Sequence, residues 1–216
     1  AFVEIFEIQK KINDKKDDAT TQKAEVTNST GVMLTTVANS KNSIGYISLG
    51  SLNDSVKALQ IDGVAPSVEN INNKSYKISR PFNVVTKTSN PLIEDFLKYS
   101  TSTEAKAIVE KAGYIATAKE SFKSSKPEGK LIVAGSSSVT PLMEKLAESY
   151  KAVNPNAVIE IQQSDSTTGV NSVVEGIADI GMVSREVKDS ELKKGVTPLV
   201  LAIDGLAVIV NKSNGV

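Results

Sequence analysis

The sequence predicts an α/β fold, because short apolar runs typical of strands alternate with segments whose apolar residues recur at helical spacing. With 216 residues, 40% of them hydrophobic, the chain is long enough to bury a sizeable core in one or two domains. Polar segments rich in Ser, Thr and Gly lie where predicted strands end and predicted helices begin.

The first half of the chain contains both kinds of element. Residues 2–11 have apolar residues at helical spacing, and the charged stretch 10–23 is predicted to be a solvated helix end and loop. The other predicted helices are residues 32–38, 91–99 and 103–112. The predicted strands are residues 44–49, 56–61 and 82–86.

The composition changes at residues 119–130, which are rich in Ser, Lys, Glu and Pro and are predicted to be a linker. The pattern after the linker is regular. Strands are predicted at residues 131–134, 157–162, 179–183, 198–204 and 206–210, and helices at residues 141–153, 169–176 and 189–194.

Several chemistries are excluded by what the sequence lacks. The chain has no His and no Cys, so a Ser-His-carboxylate triad, a cysteine nucleophile and an ordinary zinc site are all absent. The 25 basic and 25 acidic residues give a net charge of +0, which argues against a nucleic-acid surface. No apolar run approaches the length of a membrane span. These observations favour a binding protein over an enzyme, with no cofactor, metal or nucleic acid.

Three polar loops carry the functional signal. They are Gly-Ser-Ser-Ser-Val-Thr-Pro at residues 135–141, Ser-Asp-Ser-Thr-Thr-Gly at residues 164–169, and Ser184-Arg185. In parallel sheets, ligands collect where strands end and helices begin, and a helix N-terminus offers unpaired N–H groups to an anion. Hydroxyls add donors without charge, and one arginine can give two parallel bonds to an oxyanion. The three loops together indicate oxyanion binding.

Each loop also has a simpler interpretation. Ser and Thr are common helix caps, and Pro141 after Thr140 occupies the first helical position that proline favours. A lone arginine such as Arg185 is more often a surface residue or an ion-pair partner than a ligand for an anion. At this point both interpretations stay open.

Several segments resemble phosphate-binding proteins of bacterial phosphate ABC importers, of the Gram-positive type. The segments are residues 39–87, 129–141, 161–169, 178–186 and 206–212, and the resemblance covers nearly the whole chain. It implies a periplasmic-binding-protein-like (type II) flytrap, in which two α/β lobes close over an anion.

The order of these segments differs from that family. Residues 1 to about 120 resemble its C-terminal half and residues 129–216 its N-terminal half, so we expect one complete lobe, a truncated second lobe and halves in permuted order. A Ser-Gly-Thr-Arg loop that supplies phosphate contacts in the family is not present. The predicted divisions are residues 1–75 as a partial second lobe, 76–118 as part of the first lobe, 119–130 as the linker joining the family's old ends, and 131–216 as the rest of the first lobe.

The resemblance also implies a site and partners. Inorganic phosphate would be bound by Ser137, Ser138, Thr140, Ser166, Ser184 and Arg185, with Asp165 as a candidate acceptor for the proton that distinguishes phosphate from sulfate. A helix cap is the competing interpretation of Asp165. The implied partners are the membrane subunits of an ABC importer, and a missing segment could be supplied by another chain. The implied location is extracellular, at the cell surface, where family members are often lipid-anchored.

Three other functions compete with this one. The chain could be a receptor for sulfate, molybdate or another oxyanion on a similar fold. It could be an engineered or split scaffold that no longer binds an anion. An enzyme acting on phosphate esters has the least support, because the chain lacks His and a tight carboxylate cluster.

Overall fold

The computed structural model describes residues 2–12, 15–118 and 120–216. Ala1 and Lys119, at which two of the predicted divisions begin, lie outside the described residues. The described helices are α1 (Phe2–Ile5), α2 (Thr30–Asn39), α3 (Val68–Asn72), α4 (Pro91–Ser100), α5 (Thr103–Lys111), α6 (Thr140–Val153), α7 (Ser166–Val174) and α8 (Asp189–Leu192). The described strands are β1 (Gln9–Ile12), β2 (Lys15–Asp18), β3 (Ile44–Ser48), β4 (Val56–Ala58), β5 (Ser79–Thr86), β6 (Ile115–Ala116), β7 (Gly129–Ser136), β8 (Ala157–Ser164), β9 (Ile180–Val183) and β10 (Thr197–Asn211).

One mixed sheet organises the described part of the chain. Its strand order is β8-β7-β9-β5-β10-β3, with β4 and β6 also paired to β10. Strands β8, β7 and β9 run parallel, whereas β5 is antiparallel to both β9 and β10. All four residues of β9 are buried, as expected for a strand covered on both faces. The predicted α/β class is therefore confirmed.

The hydrophobic core consists of separate clusters on the two parts of this sheet. The largest cluster includes Phe82, Phe96, Leu131, Leu146 and Met182, all fully buried, and it packs α4, α5 and α6 against the parallel strands. A small, separate cluster packs α2 against β3 and the C-terminal part of β10. Each cluster buries apolar surface of its own, which is the arrangement expected of two lobes.

Strand β10 joins the two parts. It pairs with β5 over residues 197–205 and with β3 and β4 over residues 206–211. The sequence prediction of two strands here, separated at Gly205, is wrong, because a single strand passes through that glycine. A Cβ atom on Gly205 would lie 2.2 Å from Cδ1 of Ile71, so the Ile71 side chain packs directly against the strand at this glycine, which does not end the strand.

The N-terminal prediction is also wrong. A helix was expected over residues 2–11, but α1 ends at Ile5, and Glu7 has a positive φ of 52° that a helix cannot accommodate. The charged residues that follow form the antiparallel pair β1–β2, in which Lys10 lies opposite Asp17. Such opposite-charge pairs across two strands stabilise a hairpin.

Helices α4 and α5 follow the predicted ranges closely because their starts are encoded locally. Oδ1 of Asn90 accepts hydrogen bonds from Leu92 N and Ile93 N, and Pro91 occupies the first turn. Ser102 caps α5 by accepting from Ala105 N. None of the helices formed by the described residues has the length and hydropathy required to cross a bilayer.

Candidate functional site

Three strand ends lie side by side at one edge of the parallel part of the sheet. In the register between β7 and β8, Ser136 pairs with Ser164, and between β7 and β9, Gly135 pairs with Met182. The loops after these strands are the three that the sequence singled out. The structure therefore brings the first, second and third polar loops together at the carboxyl ends of neighbouring strands, where anions bind in folds of this class.

Two glycines let these loops approach one another. A Cβ on Gly135 would lie 2.5 Å from the carbonyl oxygen of Met182 and 3.0 Å from Cα of Gly169, and the φ of Gly135 is +129°. A Cβ on Gly169 would lie 2.9 Å from the carbonyl oxygen of Ala134. Side chains at these positions would force backbone apart, so the close packing of β7, α7 and β9 depends on glycine. Sequence reasoning did not identify this packing role.

The first loop leaves backbone donors at the start of α6. Val139 precedes the helix with a helical backbone conformation, and no side chain of the described residues caps the N-terminus. The Thr140 hydroxyl donates to the carbonyl of Ser136 at 3.1 Å, and the Ser137 amide donates to the carbonyl of Ser164 at 3.0 Å. Within the described residues, neither the amide nor the hydroxyl of Ser138 has a hydrogen-bond partner. Ser138 therefore has donors for a ligand at a 14-residue helix N-terminus.

The second loop is capped by its own aspartate. Oδ1 of Asp165 accepts from Thr167 N at 2.8 Å and Thr168 N at 3.0 Å, and Oδ2 accepts from the Thr168 hydroxyl at 2.6 Å. Burial alone would raise the pKa of Asp165, but the hydrogen bonds from Thr168 and Thr167 outweigh it and lower the pKa. The interpretation of Asp165 as a helix cap is confirmed, and its role as a proton acceptor stays a prediction.

Serine side chains connect the second and third loops. The Ser184 amide donates to Oγ of Ser166 at 3.1 Å, and the two hydroxyl oxygens are 3.4 Å apart. The side-chain amide of Asn83, on β5, donates to the carbonyl of Arg185 at 2.8 Å and fixes the third loop from the other side. Two of the predicted hydroxyls thus lie in direct contact.

Arg185 is held by a residue that sequence reasoning missed. Its Nη1 and Nη2 donate to the two carboxylate oxygens of Glu191 at 2.9 and 2.8 Å, and both residues are buried. Nη2 also donates to the Thr167 hydroxyl at 3.2 Å. The hydrogen bond from Arg185 lowers the pKa of Glu191, which stays ionised. Arg185 therefore ties the second loop to the third, and direct contact with phosphate stays a prediction.

A second part of the molecule faces the first loop. The Thr30 hydroxyl, at the N-terminus of α2, lies 3.3 Å from the Ser137 hydroxyl, although the residues are 107 positions apart. Both residues line a cavity of about 90 Å³, which is also lined by Tyr46 and Arg80. Ser29 caps α2 by accepting from Val32 N at 3.4 Å, and nothing in the sequence indicated what that end of the helix faces.

A larger groove of about 1080 Å³ lies elsewhere, between α4 and the segment that includes Glu120 and Ser125. None of the predicted site residues lines it. The convergence of amides, hydroxyls and arginine, rather than size, makes the strand ends the candidate site. Among the described residues, no group of three or more acidic side chains could hold a metal ion.

Known proteins share this architecture and sequence. A family model for a PBP superfamily domain matches residues 120–216. "Phosphate-binding protein PstS 2" from Streptococcus agalactiae serotype V is 52% identical over 221 residues, spanning 100% of this chain and 75% of that protein. The chain belongs to the phosphate-binding protein family. The family's role as a receptor confirms the expectation of a binding protein rather than an enzyme.

Two further members of the family show how the similarity is distributed. A solved phosphate-binding protein of a phosphate ABC transporter from Streptococcus pneumoniae TIGR4 is 44% identical, with a TM-score of 0.74, over 99% of this chain and 84% of that chain. "Phosphate-binding protein PstS" from Bacillus subtilis is 37% identical over 93 residues, 42% of this chain and 31% of that protein. The flytrap class expected from the sequence is supported by the first of these, whereas the second matches only part of the chain.

Proposed function

We propose that this chain binds inorganic phosphate as the extracytoplasmic receptor of an ABC phosphate importer. The observation that carries the proposal is the convergence of three polar loops at the carboxyl ends of β7, β8 and β9. Membership of the phosphate-binding protein family supports phosphate as the anion. The partners would be the membrane subunits of the importer.

The first loop supplies the main donors in this proposal. The amide and hydroxyl of Ser138 and the amide of Thr140 bind phosphate oxygens at the start of α6, where the helix dipole favours negative charge. Ser137 contributes its hydroxyl, which lies beside Thr30. The absence of a side-chain cap on this helix supports the assignment, because a phosphate would satisfy donors that are otherwise left to water.

The second and third loops supply the remaining groups around the phosphate in this proposal. Ser166 and Ser184 contribute hydroxyls that already lie within 3.4 Å of each other. Arg185 contributes positive charge and holds the loops through Glu191. Asp165 has used three of the roughly four acceptor positions of an ionised carboxylate, which leaves one for the proton of a monoprotonated phosphate.

We also propose that the two lobes stand in permuted order relative to part of the family. The alignment with the Streptococcus agalactiae relative runs continuously through the chain, whereas that with the Bacillus subtilis protein covers less than half. The separate core cluster around α2 and β3 supports a lobe formed by residues 1–75, with β10 shared between lobes. A lipid anchor and a segment supplied by another chain stay predictions.

Isothermal titration with phosphate tests the binding proposal. Ser138→Ala removes one neutral hydroxyl donor, so we expect binding to weaken about 3- to 10-fold. Ser190→Ala is the matched control, because Ser190 is exposed in α8 and makes no side-chain hydrogen bond within the described residues. Sulfate and molybdate titrated at pH 5 and pH 8 distinguish a receptor for another oxyanion. Binding of sulfate in preference to phosphate, or no effect of Ser138→Ala, would contradict the proposal.

A further inference from the structure

Arg80 is a buried arginine that contacts a carboxylate through Nε, and its Cζ lies 5.5 Å from the centroid of the Phe82 ring. It lies on β5 with 7% of its surface exposed, and its Nε donates to Oδ2 of Asp204 at 3.0 Å. Asp204 is fully buried on β10, and Oγ of Ser48 donates to its other carboxylate oxygen at 2.7 Å. The carboxylate is thereby held in place, and it orients the guanidinium through Nε.

The remaining donors of Arg80 have no acceptor among the residues that the structure describes. Arginine carries one N–H on Nε and four on its two Nη atoms. Within residues 2–12, 15–118 and 120–216, neither Nη1 nor Nη2 of Arg80 donates a hydrogen bond to the protein. Neither Nη atom is among the completely enclosed, unpaired side-chain atoms of the described residues, so a ligand or water can reach both.

The guanidinium lines the cavity of about 90 Å³ beside the first loop. This volume holds a small ion or several waters. Ser137, Ser138, Thr30 and Tyr46 also line the cavity. Among the described lining residues, Arg80 carries the only charge and none is acidic. The cavity therefore combines one cation with hydroxyl donors, which suits an anion.

We propose that Arg80, on β5, binds the phosphate directly through its Nη atoms in this cavity, with Asp204 as its positioning residue. The inference rests on the proposed phosphate-binding function and adds a phosphate-contacting residue that the sequence did not indicate. Two Nη donors match two oxygens of a tetrahedral anion, and the bond from Nε to Asp204 fixes the plane of the guanidinium.

Arg80 lies where the β5–β10 pair and the N-terminus of α2 approach the same cavity. β5 and β10 are paired strands of the first lobe, and β10 continues into the pairing with β3, where Ser48 lies. Thr30, on the α2 side of the cavity, faces the same space. An anion held by Arg80 would therefore lie beside residues of β5 and of α2 at once, and binding that contacts both elements would favour the arrangement in which they are close.

Three variants of the full chain, titrated with inorganic phosphate, test the proposal. Arg80→Lys keeps the charge but removes the fork and the Nε bond, so we expect affinity to fall about 10- to 100-fold. Because removing Arg80 alone leaves Asp204 buried without its partner, Arg80→Gln combined with Asp204→Asn provides a neutral, hydrogen-bonding replacement. We expect a similar loss of affinity in this double variant, and no change in Ser190→Ala.

A direct readout separates ligand contact from a structural role. The sequence has only two arginines, at positions 80 and 185, so the ¹⁵N-labelled chain gives two Nε–H signals, and Arg80→Lys assigns them. Phosphate should shift the Arg80 signal with the same Kd as in the calorimetric titration. An Arg80 signal unmoved at saturation, or wild-type affinity in the double variant, would overturn the inference. If Ser138→Ala still weakens binding in that case, the proposed function stands without Arg80, whereas no phosphate binding by the unchanged chain overturns both.

Discussion

The close approach of the three loops can be tested by adding one methyl group at Gly135. A Cβ at this position would lie 2.5 Å from the carbonyl oxygen and 3.0 Å from the nitrogen of Met182, and both are backbone atoms that cannot rotate away. The Gly135→Ala variant must therefore separate β7 from β9 or from α7. Overpacking of this kind costs about 1–3 kcal/mol, and the positive φ adds about 1–2 kcal/mol.

Gly176→Ala is the matched control for the backbone part of this cost. Gly176 also has a positive φ, +73°, but a Cβ there would have no atom within 4 Å. We expect Gly176→Ala to lower the free energy of unfolding by about 1–2 kcal/mol and Gly135→Ala by about 2–5 kcal/mol. Urea unfolding followed by circular dichroism measures both, and phosphate titration should show a loss of affinity for Gly135→Ala alone. Equal destabilisation by the two substitutions, with phosphate affinity retained, would refute the packing argument.

Three further predictions concern carboxylates. Asp165→Ala should lower the free energy of unfolding by about 1 kcal/mol through loss of the α7 cap, whereas Asp165→Asn should be nearly neutral. Glu191→Ala leaves Arg185 without its bidentate partner and should cost about 3 kcal/mol or more in urea unfolding, against less than about 0.5 kcal/mol for the exposed Glu186→Ala. Burial raises the pKa of Asp204 from an ordinary 3.8 to about 6. Between pH 4 and pH 6, roughly, Asp204 therefore holds a proton in the folded chain that it has released in the unfolded chain. Stability from this group should fall as the pH rises from about 4 to 6, and Asp204→Asn should lack that slope.

The outcomes that contradict these predictions are distinct. An Asp165→Asn variant as unstable as Asp165→Ala would mean that the carboxylate charge matters more than the cap. A Glu191→Ala variant as stable as Glu186→Ala would show that the pair of Arg185 and Glu191 does not stabilise the third loop. If the wild type and Asp204→Asn show the same pH dependence of unfolding, burial does not raise the pKa of Asp204.

Local signals explain which elements were predicted well from the sequence. The starts of α4 and α5 depend on Asn90, Pro91 and Ser102, whose effects act within one helical turn. The prediction of a helix over residues 2–11 was wrong, because apolar residues at helical spacing do not show where a helix ends. Helix α1 ends at Ile5, and its Phe2 packs against a residue far away in the sequence. The Phe2 ring stacks on Tyr46 with centroids 4.1 Å apart, a contact that the local pattern cannot reveal.

Some features of the candidate site could also be predicted from local sequence, and others could not. The amide and hydroxyl donors of the three loops could be predicted, because the order strand, polar loop, helix already implies a helix N-terminus at a sheet edge. The roles of Gly135 and Gly169 could not, because a need for glycine arises from atoms of other strands. The bond between Arg185 and Glu191 could not be predicted either, since a separation of six positions across a loop implies no contact by itself.

The sequence by itself determined the class of fold, the absence of His and Cys chemistry, and the loops whose donors suit an oxyanion. Tertiary structure decided which distant groups share that space. Arg80 and Asp204 are 124 positions apart, and Thr30 and Ser137 are 107 apart, yet each pair is in contact. The physical reason is that composition and periodicity describe neighbours along the chain, whereas the pairing of β10 with both β5 and β3 determines neighbours across it.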